Sequence, residues 1–265
     1  MRLIVNRIFW SLLLVLVVLA RGYRAAPGTL RVLTYNIHHG EGRDGRFDLP
    51  RLADVMKSAE PDLVALQEVD ERTERADGVD QLAELERLTD MHGEFGKAMG
   101  YRGGSYGVAV LSRWPLLSAT NRPLPSSPDL EPRTALTVEV RAGAGGPLLQ
   151  FTTTHFDQTR ADDRLAQATY LDRVLVREAR ATILAGDMNA RPDTDVMKVF
   201  EPQWTIAPSA DASPAVPDGR PRLRGDYVLF RPPEGWRVIE SRTIDETVAS
   251  DHRPLLVVLE WTGTR

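Results

Sequence analysis

The stretch Leu63-Val64-Ala65-Leu66-Gln67-Glu68 puts four apolar residues in a row and closes them with an amide and a carboxylate. An uninterrupted apolar run of this length reads as a strand. A carboxylate at its end lies in a partly buried place, which is costly unless a cation or a hydrogen-bond donor compensates it. Five more polar clusters sit against strand-like runs in the same way. Asn36 follows Leu33-Thr34-Tyr35, His155 and Asp157 follow Phe151 to Thr154, and Asp187 and Asn189 follow Ile183-Leu184-Ala185-Gly186. Asp226 precedes Tyr227-Val228-Leu229, and Asp251-His252 precedes Leu255 to Leu259. A fold that brings strand ends together gathers these carboxylates, amides and imidazoles into one pocket, as hard-cation chemistry on a phosphate ester requires.

Outward from that stretch, apolar runs predict strands at 30–35, 63–67, 107–111, 135–140, 148–154, 182–185, 227–230 and 255–260. Helices are expected at 49–59, 81–91, 163–180 and 194–200. In the third helix Leu165, Ala168, Leu171 and Leu175 recur at helical spacing, so that face is expected to cover a sheet. Asp48 is the expected cap of the first helix, with Pro50 just inside its start. The runs 135–140 and 148–154 predict an antiparallel hairpin, and strand–helix alternation in the first half predicts a mixed sheet, or two. The Pro-rich stretches 121–131 and 202–224 are expected to be surface loops within one domain, because an incomplete polar set lies on either side of each.

A chain of 265 residues with 42% hydrophobic and 26% charged residues can bury a real core, and one large α/β domain is the expectation. The absence of cysteine excludes disulfides, thiolate metal sites and cysteine nucleophiles. Arg2 and Arg7 precede the apolar run Ile8 to Ala20, which reads as an export signal over residues 1–20, cleaved after Val18-Leu19-Ala20. The run is short for a span, and Arg21 and Arg24 follow it, so an uncleaved anchor is the alternative. Residues 21–29 are then a linker and 30–261 the domain. Cleavage removes Arg2 and Arg7 from 33 basic residues, leaving 31 against 37 acidic ones. Such an acidic chain, with no long basic stripe, is a weak candidate for non-specific nucleic-acid binding. The run Arg220-Pro221-Arg222-Leu223-Arg224 reads as a solvated loop, or as a rim that attracts an anionic substrate.

Six segments together resemble the successive signatures of the endonuclease/exonuclease/phosphatase superfamily: Leu33-Thr34-Tyr35-Asn36, Leu66-Gln67-Glu68-Val69, Gly107 to Arg113, Thr154-His155-Phe156-Asp157, Gly186-Asp187-Met188-Asn189 and Ser250-Asp251-His252-Arg253-Pro254-Leu255. The resemblance implies an α/β four-layer sandwich, with two mixed β-sheets face to face and helices outside. It also implies a metal-dependent phosphoesterase. Glu68 matches the family's Mg²⁺ ligand, with Asn36 beside it and Asp251 as a further ligand; Mn²⁺ and Ca²⁺ are the substitutes.

By the same resemblance Asp187 orients or deprotonates the attacking water, and Asn189 donates a hydrogen bond to charge growing on phosphate oxygens. His252, supported by Asp226, is a general base or a charged stabiliser. His155 matches a proton donor or phosphate ligand and is expected to lean on Asp157 or Asp226. Tyr106 and Arg133 match phosphate contacts, and His38 stands where abasic-site endonucleases carry an Asp, so His38 or His39 is expected to contact substrate. The substrate is expected to be a phosphodiester: a lipid head group, a small molecule or a nucleic acid. The expected enzyme is exported and monomeric, with association at a membrane surface among its expected partners. An exported nuclease and a catalytically silent binding module are the alternatives.

Overall fold

The computed structural model describes residues 28–143, 146–178, 180–208 and 225–263. The expected export signal at residues 1–20, residues 21–27 of the expected linker and the run Arg220 to Arg224 lie outside them. The first sheet contains, in spatial order, β11 (Trp236–Thr243), β12 (Leu255–Trp261), β1 (Thr29–Asn36), β2 (Leu63–Glu71), β4 (Gly104–Ser112) and β3 (His92–Tyr101). The second contains β5 (Leu116–Pro123), β6 (Thr134–Arg141), β7 (Leu148–His155), β8 (Ala181–Asp187), β10 (Asp226–Arg231) and β9 (Thr205–Ile206). Four α-helices accompany them: α1 (Leu49–Ala59), α2 (Gln81–Thr89), α3 (Ala161–Val176) and the single turn α4 (Asp195–Lys198).

Each sheet has one parallel pair at its centre, β1 with β2 and β7 with β8, and the remaining pairs are antiparallel. A parallel pair needs a long crossover, which α1 and α3 provide. The four central strands therefore finish at one end of the sandwich. The antiparallel strands β12 and β10 begin there, with Leu255 opposite Thr34 and Asp226 opposite Asp187.

Side chains of a strand alternate between faces, and the core divides accordingly. Val32, Ala65 and Val110 meet Val138, Phe151, Ile183 and Val228 between the sheets. On the outer face of the first sheet Leu33, Leu66 and Ala109 pack under Leu52, Met56 and Leu85 of α1 and α2. On the outer face of the second, Leu184, Tyr227 and Leu229 pack under Ala168, Leu171 and Leu175 of α3. Helix, sheet, sheet and helix form the four layers, and the predicted β6–β7 hairpin is antiparallel. Asp48 accepts the Arg51 amide at 2.9 Å and caps α1 as expected.

Several elements differ from the sequence reading. The strands β3, β5, β9 and β11 lay outside it; β3, β5, β9 and β11 form the sheet edges, where one side of the ladder is unpaired and apolar patterning is weak. Residues 121–123, read as loop, finish β5. The helix α3 stops at Val176, α2 at Thr89 and α4 at Lys198, all short of the expected ends. Leu165 is 36% exposed, whereas Gln167 is buried in its stead. That amide accepts from the Asp157 N–H at 2.8 Å and donates to the Pro125 carbonyl at 3.0 Å.

Gly186, at φ 152°, brings β8 close to β7: a Cβ there would stand 2.0 Å from the Thr154 carbonyl oxygen. Gly186→Ala is expected to destabilise the protein by about 3 kcal/mol, since the neighbour is backbone and cannot rotate away. Urea unfolding measures this; a loss below about 1 kcal/mol contradicts it.

Candidate active site

Glu68 does not end its strand. The strand β2 continues to Glu71, and Glu68 occupies a bulge against β4, at φ 57°, between residues that stay in register. A bulge takes one residue out of the ladder and re-aims its side chain. Here it turns the carboxylate towards the neighbouring strand end, where the Asn36 amide donates to Glu68 Oε1 at 2.9 Å. Asn36 Oδ1 in turn accepts the His38 N–H at 3.0 Å, so the amide is fixed from both sides. The Ser250 hydroxyl donates to the Asn36 carbonyl at 2.7 Å, which ties the Asp251-His252 loop to the end of β1.

In the second sheet the register alone assembles a charge cluster. His155 stands opposite Asp187 on the parallel β7–β8 pair, and Asp187 opposite Asp226 on β8–β10. His252 reaches across from the first sheet, with Nδ1 3.0 Å from Asp226 Oδ2 and Nε2 3.8 Å from Asp187 Oδ2. His155 Nε2 is 3.6 Å from the same Asp187 oxygen. Asn189 gives its backbone N–H to Asp187 Oδ1 at 2.9 Å and its side-chain amide to the Phe156 carbonyl at 3.0 Å.

These environments push the titratable groups apart. Burial and the nearby Asp226 raise Asp187 to about 6. Burial opposes the charge on His252, but Asp226 and Asp187 outweigh it and the imidazole rises to about 10. Burial, then the Arg133 guanidinium and His252, hold His155 well below its ordinary value. Arg133 is a donor only, and its Nη1 lies 3.0 Å from His155 Nδ1, so that nitrogen carries a lone pair and the hydrogen is on Nε2. Asp157, an expected partner of His155, instead accepts Thr159 and Arg160 amides at 2.7 and 2.6 Å and shapes the turn before α3. Asp226, the other expected partner, is engaged with His252. Arg133 and Asp187 take the place of both.

A cleft of about 300 Å³ opens on the Glu68 side of this constellation, with His155 reaching it from the second-sheet cluster while Asp187, Asn189, Asp226 and His252 stay outside its lining. Its lining includes the expected His38, Glu68, Tyr106, Arg133, His155 and Asp251. Arg75, Tyr101 and Glu131 also line it and escaped the sequence reading. Arg75 is gripped by the buried Asp70 through Nε at 2.6 Å and Nη2 at 2.8 Å, with its guanidinium over the Tyr101 ring at 4.6 Å. Its arrival depends on the turn after β2, for which the sequence carries no motif. A larger cavity of about 810 Å³ lies at the opposite pole, among Leu148, Ala181, Arg231 and Trp261, with Glu234 its only carboxylate, so the chemistry belongs to the smaller one.

A carboxylate held by an amide, beside a buried Asp pair charged against an imidazole, is the equipment of a phosphoester hydrolase built on a four-layer α/β sandwich. The chain belongs to the endonuclease/exonuclease/phosphatase family, whose model matches residues 33–252. It is similar to the protein YbhP of Escherichia coli strain K12, with 30% identity over 171 residues, 61% of this chain and 67% of that one. An endonuclease/exonuclease/phosphatase from Beutenbergia cavernae has a similar structure, with a TM-score of 0.74 and 26% identity over 89% of this chain and 72% of that one. A mannosyl-6-phosphatase of Bacteroides thetaiotaomicron shares the fold, with a TM-score of 0.72 and 18% identity over 88% of this chain and all of the other.

Two measurements in chelator test the charge assignments. Long-range ¹⁵N–¹H spectra at pH 7 are expected to show His155 neutral with its hydrogen on Nε2, and His252 protonated on both nitrogens; a neutral His252 contradicts the cluster. The folded pKa of His252 lies above the unfolded value of about 6.5, so its contribution to stability is complete below that pH and lost as pH rises towards 10. The stability deficit of His252→Gln is therefore expected to shrink between pH 6 and pH 10, read by urea unfolding.

Proposed function

We propose that the protein is an exported, divalent-cation-dependent phosphodiesterase that hydrolyses a P–O bond of a lipid-linked or small phosphodiester. The observation that carries this reading is the adjacency of two unlike charge systems, one lining the cleft and the other behind it. Glu68, oriented by Asn36, faces the cleft with Asp251, while the Asp187, Asp226 and His252 cluster lies beside it through His155.

The oxygen donors of Glu68, Asp251 and Asn36 suit a hard cation such as Mg²⁺, which needs only one or two carboxylates besides water and substrate. When bound there, such a cation polarises the phosphoryl oxygen and offsets the charge of the reacting phosphate. The chain's own groups account for the rest. Asp187, with its carboxyl raised to about 6, is a base matched to neutral pH for the proton of the attacking water. The His252 imidazolium, held by Asp226, lies within reach of the same oxygen and opposes the negative charge that grows on phosphorus oxygens. His155 enters neutral and donates a hydrogen bond through Nε2, a role distinct from that of a charged general acid. Arg133 and the buried Tyr106 hydroxyl line the cleft for phosphate, and Asn189 keeps one amide hydrogen beyond its bond to Phe156.

For a substrate with an apolar portion, Phe47 and Val248 provide support, because both are large exposed hydrophobics on or against the loop that follows His39. The Phe47 ring is 5.8 Å from that of His39, and the Val248 carbonyl accepts the Arg43 amide of the same hairpin loop. Export rests on the apolar run Ile8 to Ala20. Among the described residues no helix is long and apolar enough to cross a membrane.

Glu68→Gln and His252→Ala are each expected to lower kcat/KM by about 10²- to 10⁴-fold while the fold persists. The assay is a panel of DNA, RNA, sphingomyelin, glycerophosphodiesters and phosphomonoesters, with and without chelator. Activity indifferent to chelator, or unchanged in either variant, refutes the site. Cleavage of plasmid DNA that falls steeply with salt, beside inert lipid analogues, makes the protein a nuclease instead.

A further inference from the structure

The turn His38–Gly40 that ends β1 holds two consecutive imidazoles on left-handed backbone, at φ 46° and 45°. Such strain in residues other than glycine persists only where the surroundings over-determine it. Each ring is fixed by a hydrogen bond on one nitrogen. The Glu41 carbonyl, 3.0 Å from His38 Nδ1, can only accept, so the hydrogen sits there and Nε2 keeps its lone pair. The Glu41 carboxylate, 3.3 Å from His39 Nε2, fixes the hydrogen of that ring in the same manner. His39 Nδ1 is left bare; it is buried and has no hydrogen-bond partner. One ring nitrogen tied to a carboxylate or carbonyl and the other bare is how proteins prepare a histidine for a metal. One nitrogen of each ring and one oxygen of Glu68 all lie within 4.8 Å of one another.

We propose that His38, His39 and Glu68 form a two-histidine, one-carboxylate metal site that selects a first-row ion such as Fe²⁺, Co²⁺ or Zn²⁺ over Mg²⁺. Mg²⁺ takes oxygen ligands, whereas neutral imidazole suits the borderline transition ions. Bonds of about 2.0–2.2 Å bring ligand atoms to roughly 3–3.5 Å from one another, so the three side chains need close by at most about 2 Å on binding. Glu41 is a positioning residue that acts through both histidines. Asp251 and Glu131 line the same cleft and offset the charges of Arg75 and Arg133. The proposal revises the ion at Glu68 from Mg²⁺ to a first-row ion held by nitrogen, and rests on the phosphoesterase reading only for the catalytic role of that ion.

The test begins with the full chain stripped by chelator and titrated with Co²⁺ and with Mg²⁺. Co²⁺ is expected to develop visible ligand-field absorption and to bind roughly a hundredfold more tightly than Mg²⁺. His38→Gln and His39→Gln should each weaken Co²⁺ by about tenfold or more while leaving Mg²⁺ within about threefold, and Glu41→Gln should cost about tenfold for Co²⁺ alone. Thermal melts check that the variants are folded. Similar affinities for the two ions, or Co²⁺ binding unmoved in both histidine variants, overturn the proposal. Hydrolysis of bis(4-nitrophenyl) phosphate is followed separately. Selective Co²⁺ binding without turnover on any phosphoester keeps this site and sinks the phosphoesterase reading; Mg²⁺-driven turnover without Co²⁺ preference does the reverse.

Discussion

Asp187 and Asp226 face each other across two hydrogen-bonded strands, each about 2% exposed. Two carboxylates so placed repel, and removing either from water is expensive, so a cation held against them offsets much of the cost. His252 is that cation, and it comes from the other sheet. The same contact that balances the charge therefore also ties the two halves of the sandwich at the end where chemistry occurs. A buried pair relieved by one imidazolium also leaves one acid, Asp187, within reach of protonation near neutrality, which a solvent-exposed carboxylate is not.

That balance depends on strand geometry more than on any loop. Because β1–β2 and β7–β8 are parallel and lie in facing sheets, the chain delivers Asn36, Glu68, His155 and Asp187 to the same pole with no insertion needed to carry them there. Antiparallel β10 and β12 then add Asp226 and the Asp251-His252 loop from the opposite direction. The bulge at Glu68 and the close approach at Gly186 each serve an acid: one re-aims the carboxylate, the other lets the strand before Asp187 settle beside Thr154.

How much of this was legible in the residues follows from the same physics. The central strands announced themselves because burial on both faces leaves apolar runs such as Leu63-Val64-Ala65-Leu66 unbroken. The edges β3, β5 and β11 carry sequences such as His92-Gly93-Glu94 and Ser118-Ala119-Thr120, whose outward faces need no apolar residue, and they were not read as strands. The polar clusters at strand ends were legible as a set, since local sequence fixes which residue ends a strand. Their partners were not: that Arg133 takes His155 Nδ1, or that Asp157 turns inward to cap a loop, depends on which strands lie side by side. Arg75 left no trace for the same reason, being placed by a contact with Asp70 whose direction is set by the turn between them.

One more consequence lies in the path of β1. The strand starts at Thr29 opposite Glu260 of β12, and the Trp261 amide donates to the Gly28 carbonyl at 3.0 Å, so both ends of the domain emerge side by side. Eight residues of extended chain then separate that doorway from Asn36, roughly 25 Å away. Any tether, fusion partner or solid support joined at either end thus grips the molecule by its heel, and the mouth of the cleft stays open to whatever diffuses past it.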